Sequence, residues 1–368
     1  MADDIDALTA EELLAELRGR ERAARTSPAT VEFTPGPRAK GAAAPAGATT
    51  AAPGVVPRFR NLNDLSSAEI AKLMNARQRA IYGVDDRQDT KDITNARQKA
   101  LAEASVALVE TGDLQAAGAG FALRTKSYKT EYNLCANERY ASQPLGCFCS
   151  GVLVAADVVA TAGHCIKSQA DLAKVRFVFG FRMIDDAKAR TEFGADDVYT
   201  GAAILGRQLT SGGTDWALVR LDRAVVGRQP VPLRRTGKIA DDEPVFVIGH
   251  PCGLPQKVAG GARVRNNNPS THFVANLDTY GGNSGSPVFS SRTFELEGLL
   301  VRGQTDFVST GNCNVSMVFP TSGAGGEDVT RTTEWANKVA GAGKAKPKTR
   351  GKVKAKASGK AKARGRKR

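Results

Sequence analysis

From about residue 100 onward, short β-branched and aromatic runs alternate with Gly, Asn and Pro. The clearest are Val152-Leu153-Val154, Val175 to Phe179, Ala217 to Leu221, Val245 to Ile248, Val288-Phe289 and Leu299-Leu300-Val301. Runs this short, separated by turn residues, predict antiparallel strands closed into a barrel or sandwich. The N-terminal part has a different period. Ile5, Leu8, Leu13, Leu14 and Leu17 form one apolar side, and Thr9 and Glu12 have capping-box spacing. This predicts an amphipathic helix within residues 1–26, read as a pro-segment or docking helix. Residues 27–60 are rich in Ala, Pro, Gly and Thr, the composition of a linker. A second capping pair, Ser66 and Glu69, opens a helix within residues 61–80 that carries Ile70, Leu73 and Met74. A last helix is predicted from Asp328 to Val339, around Trp335. No internal repeat is found.

Composition narrows the class. With 368 residues, 41% of them hydrophobic, the chain can build a sizeable core and is not wholly disordered. No run of 18 apolar residues predicts a membrane-spanning helix. Asp3, Asp4 and Asp6 stand where a secretory signal has basic residues, so no standard signal is predicted. The formal net charge is +14, and residues 344–368 hold 13 Lys/Arg and no Asp or Glu. The basicity therefore belongs to the tail rather than to the body. Six cysteines permit three bridges. A missing signal points to a reducing compartment and the cysteine spacing to an oxidising one, which leaves localisation open.

Three segments carry chemistry, in the order His, Asp, Ser: Thr161-Ala162-Gly163-His164-Cys165, Thr214-Asp215-Trp216, and Gly281-Gly282-Asn283-Ser284-Gly285-Ser286-Pro287. A serine hydroxyl needs a neighbouring base to attack a carbonyl at neutral pH. Histidine supplies that base near working pH, and a buried carboxylate sets its tautomer. Glycines beside Ser284 let the Gly282 and Ser284 N–H groups converge as an oxyanion hole. Asp222 competes with Asp215 for the acid. Singly each segment reads as a packed histidine, a capping aspartate or a turn. Jointly, in this order, they point to nucleophilic catalysis.

These motifs make the chain resemble the chymotrypsin (trypsin-like) serine peptidases. TAGHC at 161–165 matches that family's histidine motif and GNSGSP at 282–287 its serine motif. The bacterial branch that includes the glutamyl endopeptidases fits best, through IYGVDDR at 81–87, Asn283 before the nucleophile and GHPCGLPQK at 249–257. The resemblance covers residues 81–341. It implies an all-β fold of two perpendicular six-stranded antiparallel β-barrels, to which the C-terminal helix, a helical or disordered N-terminal extension and a disordered basic tail (342–368) are added. It implies His164 as base, Asp215 as orienting acid, Ser284 as nucleophile and Gly282 as second oxyanion donor. Animal trypsins carry an Asp before the nucleophile that pairs with a freshly cut N-terminus. Asn283 is neutral, so that route of activation is not expected here, although removal of the N-terminal segment would still relieve a blockage.

The resemblance also places Asp278 at the base of the substrate pocket, implying a preference for Lys or Arg, with Arg302 on the pocket wall able to neutralise it. The alternative is an Asp satisfied by turn N–H groups. The histidine that glutamyl relatives carry near Leu300 is absent. His250 and His272 read as structural, and neither a metal site nor a cofactor is expected. The family bridges Cys149 with Cys165. By its topology Cys147 pairs with Cys252, which leaves Cys135 with Cys313; the alternative is buried thiols. The tail reads as a sequence-blind polyanion binder or as a solubilising extension.

The expected function is a serine endopeptidase acting on polypeptides through an acyl-enzyme. The alternative is a catalytically silent protein of the same fold with a polyanion-binding tail. A nucleic-acid packaging protein would leave the motifs of the body unexplained.

Overall fold

The computed structural model describes residues 81–339, apart from 211–212, 304–306, 320 and 322–325. The two N-terminal helices, the linker and the basic tail expected above lie outside the described residues.

Twelve strands form two barrels. The first six, in chain order, are β1 (Ser105–Glu110), β2 (Cys149–Ala155), β3 (Val158–Thr161), β4 (Val175–Phe179), β5 (Val198–Leu209) and β6 (Asp215–Leu221). They close in the order β4-β5-β6-β3-β2-β1, with β1 pairing back to β4. The second six are β7 (Pro244–Gly249), β8 (Lys257–Asn266), β9 (His272–Ala275), β10 (Pro287–Ser290), β11 (Leu296–Arg302) and β12 (Glu327–Arg331). They run β7-β10-β11-β12-β9-β8, and the β7–β8 pairing closes the ring. All twelve pair antiparallel, so the molecule is mostly β with a few short helices. Each β-branched run named from the sequence lies within one of these strands. No helix among the described residues is long and apolar enough to cross a membrane.

Alternation along β7 explains why its run is apolar throughout. Val245 and Val247 join the core of the second barrel with Phe273, Leu300 and Val329. Phe246 and Ile248 point the other way, into a cluster with Trp216, Phe177 and Leu218 of the first barrel. Side chains alternate across a strand, so a strand buried on both faces loses the polar half of its pattern.

Before building the first barrel, the chain threads onto the second. Ile81–Tyr82 pairs in parallel with Val318–Phe319, and Arg87–Asp89 adds an antiparallel edge to β8 at Lys257–Ala259. A helix then follows, α1 (Ala96–Ala104), which the sequence reading did not anticipate. Its N-terminus is capped by the Asn95 side chain, which accepts from the Arg97 and Gln98 N–H groups.

The C-terminal helix expected from Asp328 to Val339 is not formed. Asp328–Arg331 belong to β12, and Thr332–Glu334 and Ala336–Lys338 are single 3-10 turns. Val329 and Thr330 are β-branched, which favours a pleated strand over a helix. A strand here also fills the gap between β9 and β11, pairing with both. Trp335 is buried in the shared core instead of on a helix face.

Candidate active site

The histidine and the aspartate meet through strand register. β3 ends at Thr161, opposite Ala217 of β6. Asp215, two residues earlier on β6, therefore faces the turn that follows Thr161. Gly163 makes the close approach possible. A methyl group there would come within 2.6 Å of the Gln208 carbonyl oxygen and 2.8 Å of that of Trp216. His164 Nδ1 lies 2.7 Å from Asp215 Oδ2, and the His164 backbone N–H donates to Asp215 Oδ1 at 3.1 Å. An ionised carboxylate only accepts, so Nδ1 carries the proton and Nε2 presents its lone pair. Burial alone would raise the Asp215 carboxyl; the His164 ring, its N–H and the Arg302 charge outweigh burial and hold it below the usual carboxylate range. Asp222 stands elsewhere, accepting from the Thr200 N–H and the Arg223 guanidinium.

Ser284 comes from the second barrel. Leu300 of β11 frames its turn, accepting the Gly285 N–H at 2.8 Å and donating to the Ser286 carbonyl at 2.9 Å. The Ser284 carbonyl takes the Ser150 N–H of β2 at 2.9 Å, and Cys165 Sγ lies 3.7 Å from the same oxygen. The serine is thereby seated against the histidine turn. Ser284 is 1% exposed and His164 8%. His164 Nε2 is buried and has no hydrogen-bond partner. The Ser284–His164 hydrogen bond is thus not closed, and catalytic hydrogen bonds are often long until substrate binds.

Gly282 must be glycine. Its φ is +83°, and a methyl group would meet the Gly253 nitrogen at 2.6 Å and the His250 carbonyl at 2.7 Å. The Gly281 carbonyl accepts from the Cys252 N–H, and the Asn283 carbonyl accepts from the Ser286 N–H. Planar trans peptides then turn the Gly282 and Ser284 N–H groups away from those donors.

Two cystines are formed, Cys149–Cys165 and Cys135–Cys313. The first ties the start of β2 to the histidine turn. The expected Cys147–Cys252 bridge is not formed, and both residues are thiols. Their side chains pack into different clusters. Cys147 sits against Leu123 and Phe181, and Cys252 lies with Tyr128, Leu254 and Tyr280, 3.6 Å from the Tyr128 hydroxyl. Burial pushes the Cys147 thiol well up, keeping it protonated. Cys149, His164 and Cys165 bring ligand atoms within 4.8 Å of one another, but the two sulfurs are committed to their bond.

The pocket residues are placed less simply. Asp278 is buried, and its carboxylate accepts the Tyr82 N–H at 2.7 Å and the Asp86 N–H at 3.1 Å. Burial raises its carboxyl to about 6 against the pull of those N–H groups. Arg302 donates to Asp328 and to the Gly213 carbonyl, both at 3.0 Å, so its charge serves the Asp215 side and not Asp278. His272 packs beside it, 4.0 Å from Asp328. His250 is buried, stacks on Phe181 and contacts the Leu254 carbonyl, and burial lowers it to about 4.

A buried ionic group behind the serine loop escaped the sequence reading. Arg87 is 1% exposed, forked onto Asp85 and laid over the Tyr280 ring. Lys257 donates to Asp89, Gln143 and the Pro255 carbonyl. The dense charges of Asp85-Asp86-Arg87 were the available signal, since a charged run next to an apolar Ile81-Tyr82 has little reason to face water only.

None of the curated proteins matches the chain. A glutamyl endopeptidase bound to MPD aligns over 70% of this chain and 97% of its own, at 17% identity and a TM-score of 0.40. Human heparin binding protein aligns over 70% and 96%, at 15% identity and 0.42. The Vibrio cholerae VesB protease aligns over 70% and 66%, at 17% identity and 0.40. Residues 149–299, from the first residue of β2 through the serine turn into β11, match the family described as trypsin-like peptidase domain. The matched stretch, which holds both the histidine turn and the serine turn, is thus similar to a trypsin-like peptidase domain.

Proposed function

We propose that the chain is a serine endopeptidase in which Ser284, His164 and Asp215 act as a triad. The observation that carries this is the state of His164: Nδ1 is held by Asp215, and Nε2 is buried, without a partner, beside the serine turn. Ser284 Oγ attacks the scissile carbonyl while Nε2 takes its proton. Asp215 stabilises the imidazolium, and the Gly282 and Ser284 N–H groups hold the oxyanion, each donor worth about 3–4 kcal/mol of barrier. His164 then protonates the leaving amine, and water releases the acyl group by the reverse sequence. A fluorophosphonate probe should label the full chain, and Ser284→Ala should abolish the label. Equal labelling of both proteins would refute the triad and favour a silent binding protein.

For the acyl side we carry forward Lys or Arg, with Asp278 as its partner. A carboxylate has about four acceptor sites, of which two take the Tyr82 and Asp86 N–H groups and a third meets the Asp86 carboxyl. Arg302 has no part in this. A positional-scanning peptide library tests the preference, and cleavage after Glu alone would end it. The pro-segment reading predicts faster labelling of a 61–368 truncation than of the full chain. The two cystines suit an oxidising compartment. For the 13 Lys/Arg of the tail we propose sequence-blind polyanion binding, with affinity that falls as salt rises. A salt-independent constant would contradict it.

A further inference from the structure

We propose that Arg87 is a positioning residue for the nucleophile, holding the loop 276–284 from the lead-in segment of the chain. This rests on the hydrolase reading above and asks what keeps its serine in place.

The loop has little regular structure of its own, since residues 276–280 belong to no strand or helix. Tyr280 opens the tight turn that delivers Ser284, its carbonyl accepting the Asn283 N–H at 3.1 Å. Asn283, the residue before the nucleophile, is neutral, and its Oδ1 reaches only as far as Ser286 Oγ within the same turn, at 3.1 Å. Charge at that position therefore anchors nothing.

The loop is instead gripped at two points by residues 82–87. Asp278 takes the Tyr82 and Asp86 N–H groups. Two residues on, the Arg87 guanidinium lies 4.2 Å from the centre of the Tyr280 ring and 5.4 Å from that of Tyr140, and Nη2 approaches the Tyr280 hydroxyl at 3.4 Å. Arg87, Lys257, Asp278 and Asn283 border one narrow gap with no room for a water. Asp85 fixes the guanidinium with bonds of 2.8 Å to Nε and 2.6 Å to Nη2. A planar cation desolvated between aromatic faces and forked onto a carboxylate has one orientation, so it transmits that orientation to Tyr280 and thence to the turn. Further contacts clamp Arg87 from above: its carbonyl accepts from the Tyr140 hydroxyl at 2.5 Å, and the Asp85 carbonyl accepts from Arg139 at 2.6 Å.

Displacing a reacting group by about 1 Å can cost a hundredfold in rate. The test uses the full chain and a fluorophosphonate probe, with labelling rate measured against probe concentration. Wild type must label and Ser284→Ala must not; failure there refutes the hydrolase reading before any variant is compared. The double variant Asp85→Asn, Arg87→Met removes both charges, so no buried ion is left alone. Its saturating labelling rate should fall about a hundredfold with the half-saturating concentration unchanged. Arg87→Lys keeps the charge but not the planar fork and should give an intermediate loss. A folded double variant or lysine variant that labels at the wild-type saturating rate overturns the proposal. So does a loss confined to the half-saturating concentration, or loss of the fold in both variants, which would assign Arg87 to stability alone.

Discussion

The two halves of the candidate active site are held by opposite means. On the histidine side, Thr161, His164 and Asp215 sit on or beside regular strands of a closed barrel whose interior is apolar, and a cystine pins the turn. On the serine side, Ser284 sits at the end of an irregular loop whose outer anchors are Asp278, Arg87 and Tyr280, with Lys257 and Asp89 locking the strand behind them. Apolar packing is indifferent to pH and tolerant of detail, whereas a buried polar clasp holds one geometry only while every partner is present. The histidine turn is therefore mounted on a scaffold that is stable for general reasons, and the serine turn on one that depends on particular residues.

The comparison breaks first, and by the largest effect, at Asp215. Asp215→Asn keeps the shape but favours the wrong imidazole tautomer, and should lower the rate of peptide hydrolysis by about ten-thousandfold. Denaturant unfolding should change far less than activity, because apolar contacts hold the first barrel. A variant that unfolds would show that the barrel relies on the charge after all.

The serine side is sharpened by Lys257→Met, which strands Asp89 without its cation. Breaking a buried pair costs about 3–5 kcal/mol, read as a fall in the urea midpoint. Adding Asp89→Asn should recover most of that loss, and a double variant as unstable as the single one would mean that Lys257 acts by packing.

The smallest effect is the dependence on pH. Asp86 is raised to about 7, by burial first and by Asp278 second, and Asp278 itself to about 6. Both values lie above those of an unfolded aspartate, so the folded chain keeps protons that the unfolded chain has released. The favourable contribution is complete below about pH 4 and is lost as pH rises towards 7. Asp86→Asn should therefore flatten the stability profile between pH 5 and 8 and gain about 1–2 kcal/mol at pH 8, after discounting for solvent access. A profile as steep as that of wild type would remove Asp86 from the account.

Legibility followed the same division. Strands β2, β4, β6, β7, β10 and β11 were readable because each is a β-branched run between turn residues. His164, Asp215 and Ser284 stood out as candidates because their types and order match one chemistry, and the structure brings the first two to 2.7 Å. The C-terminal segment was misread because Trp335, Ala336 and Val339 suit a helix face, while the β-branched pair Val329 and Thr330, which closes the barrel, is too short to show a period. Helix α1 was missed because Leu101 is its only large apolar residue. The Cys147–Cys252 pairing failed because topology brings backbones near without saying which cluster a side chain enters.

By itself the sequence determined that a β-rich body carries a histidine, an aspartate and a glycine-flanked serine, since period and residue type are local properties. Only the tertiary structure decided that Asp215 and not Asp222 reaches the imidazole, that Asp278 grips the chain's own backbone, and that Arg87 lies beneath the serine loop. Those are choices of partner between residues up to 196 positions apart. Partnership at that distance is set by how two closed barrels pack, and no local pattern encodes it.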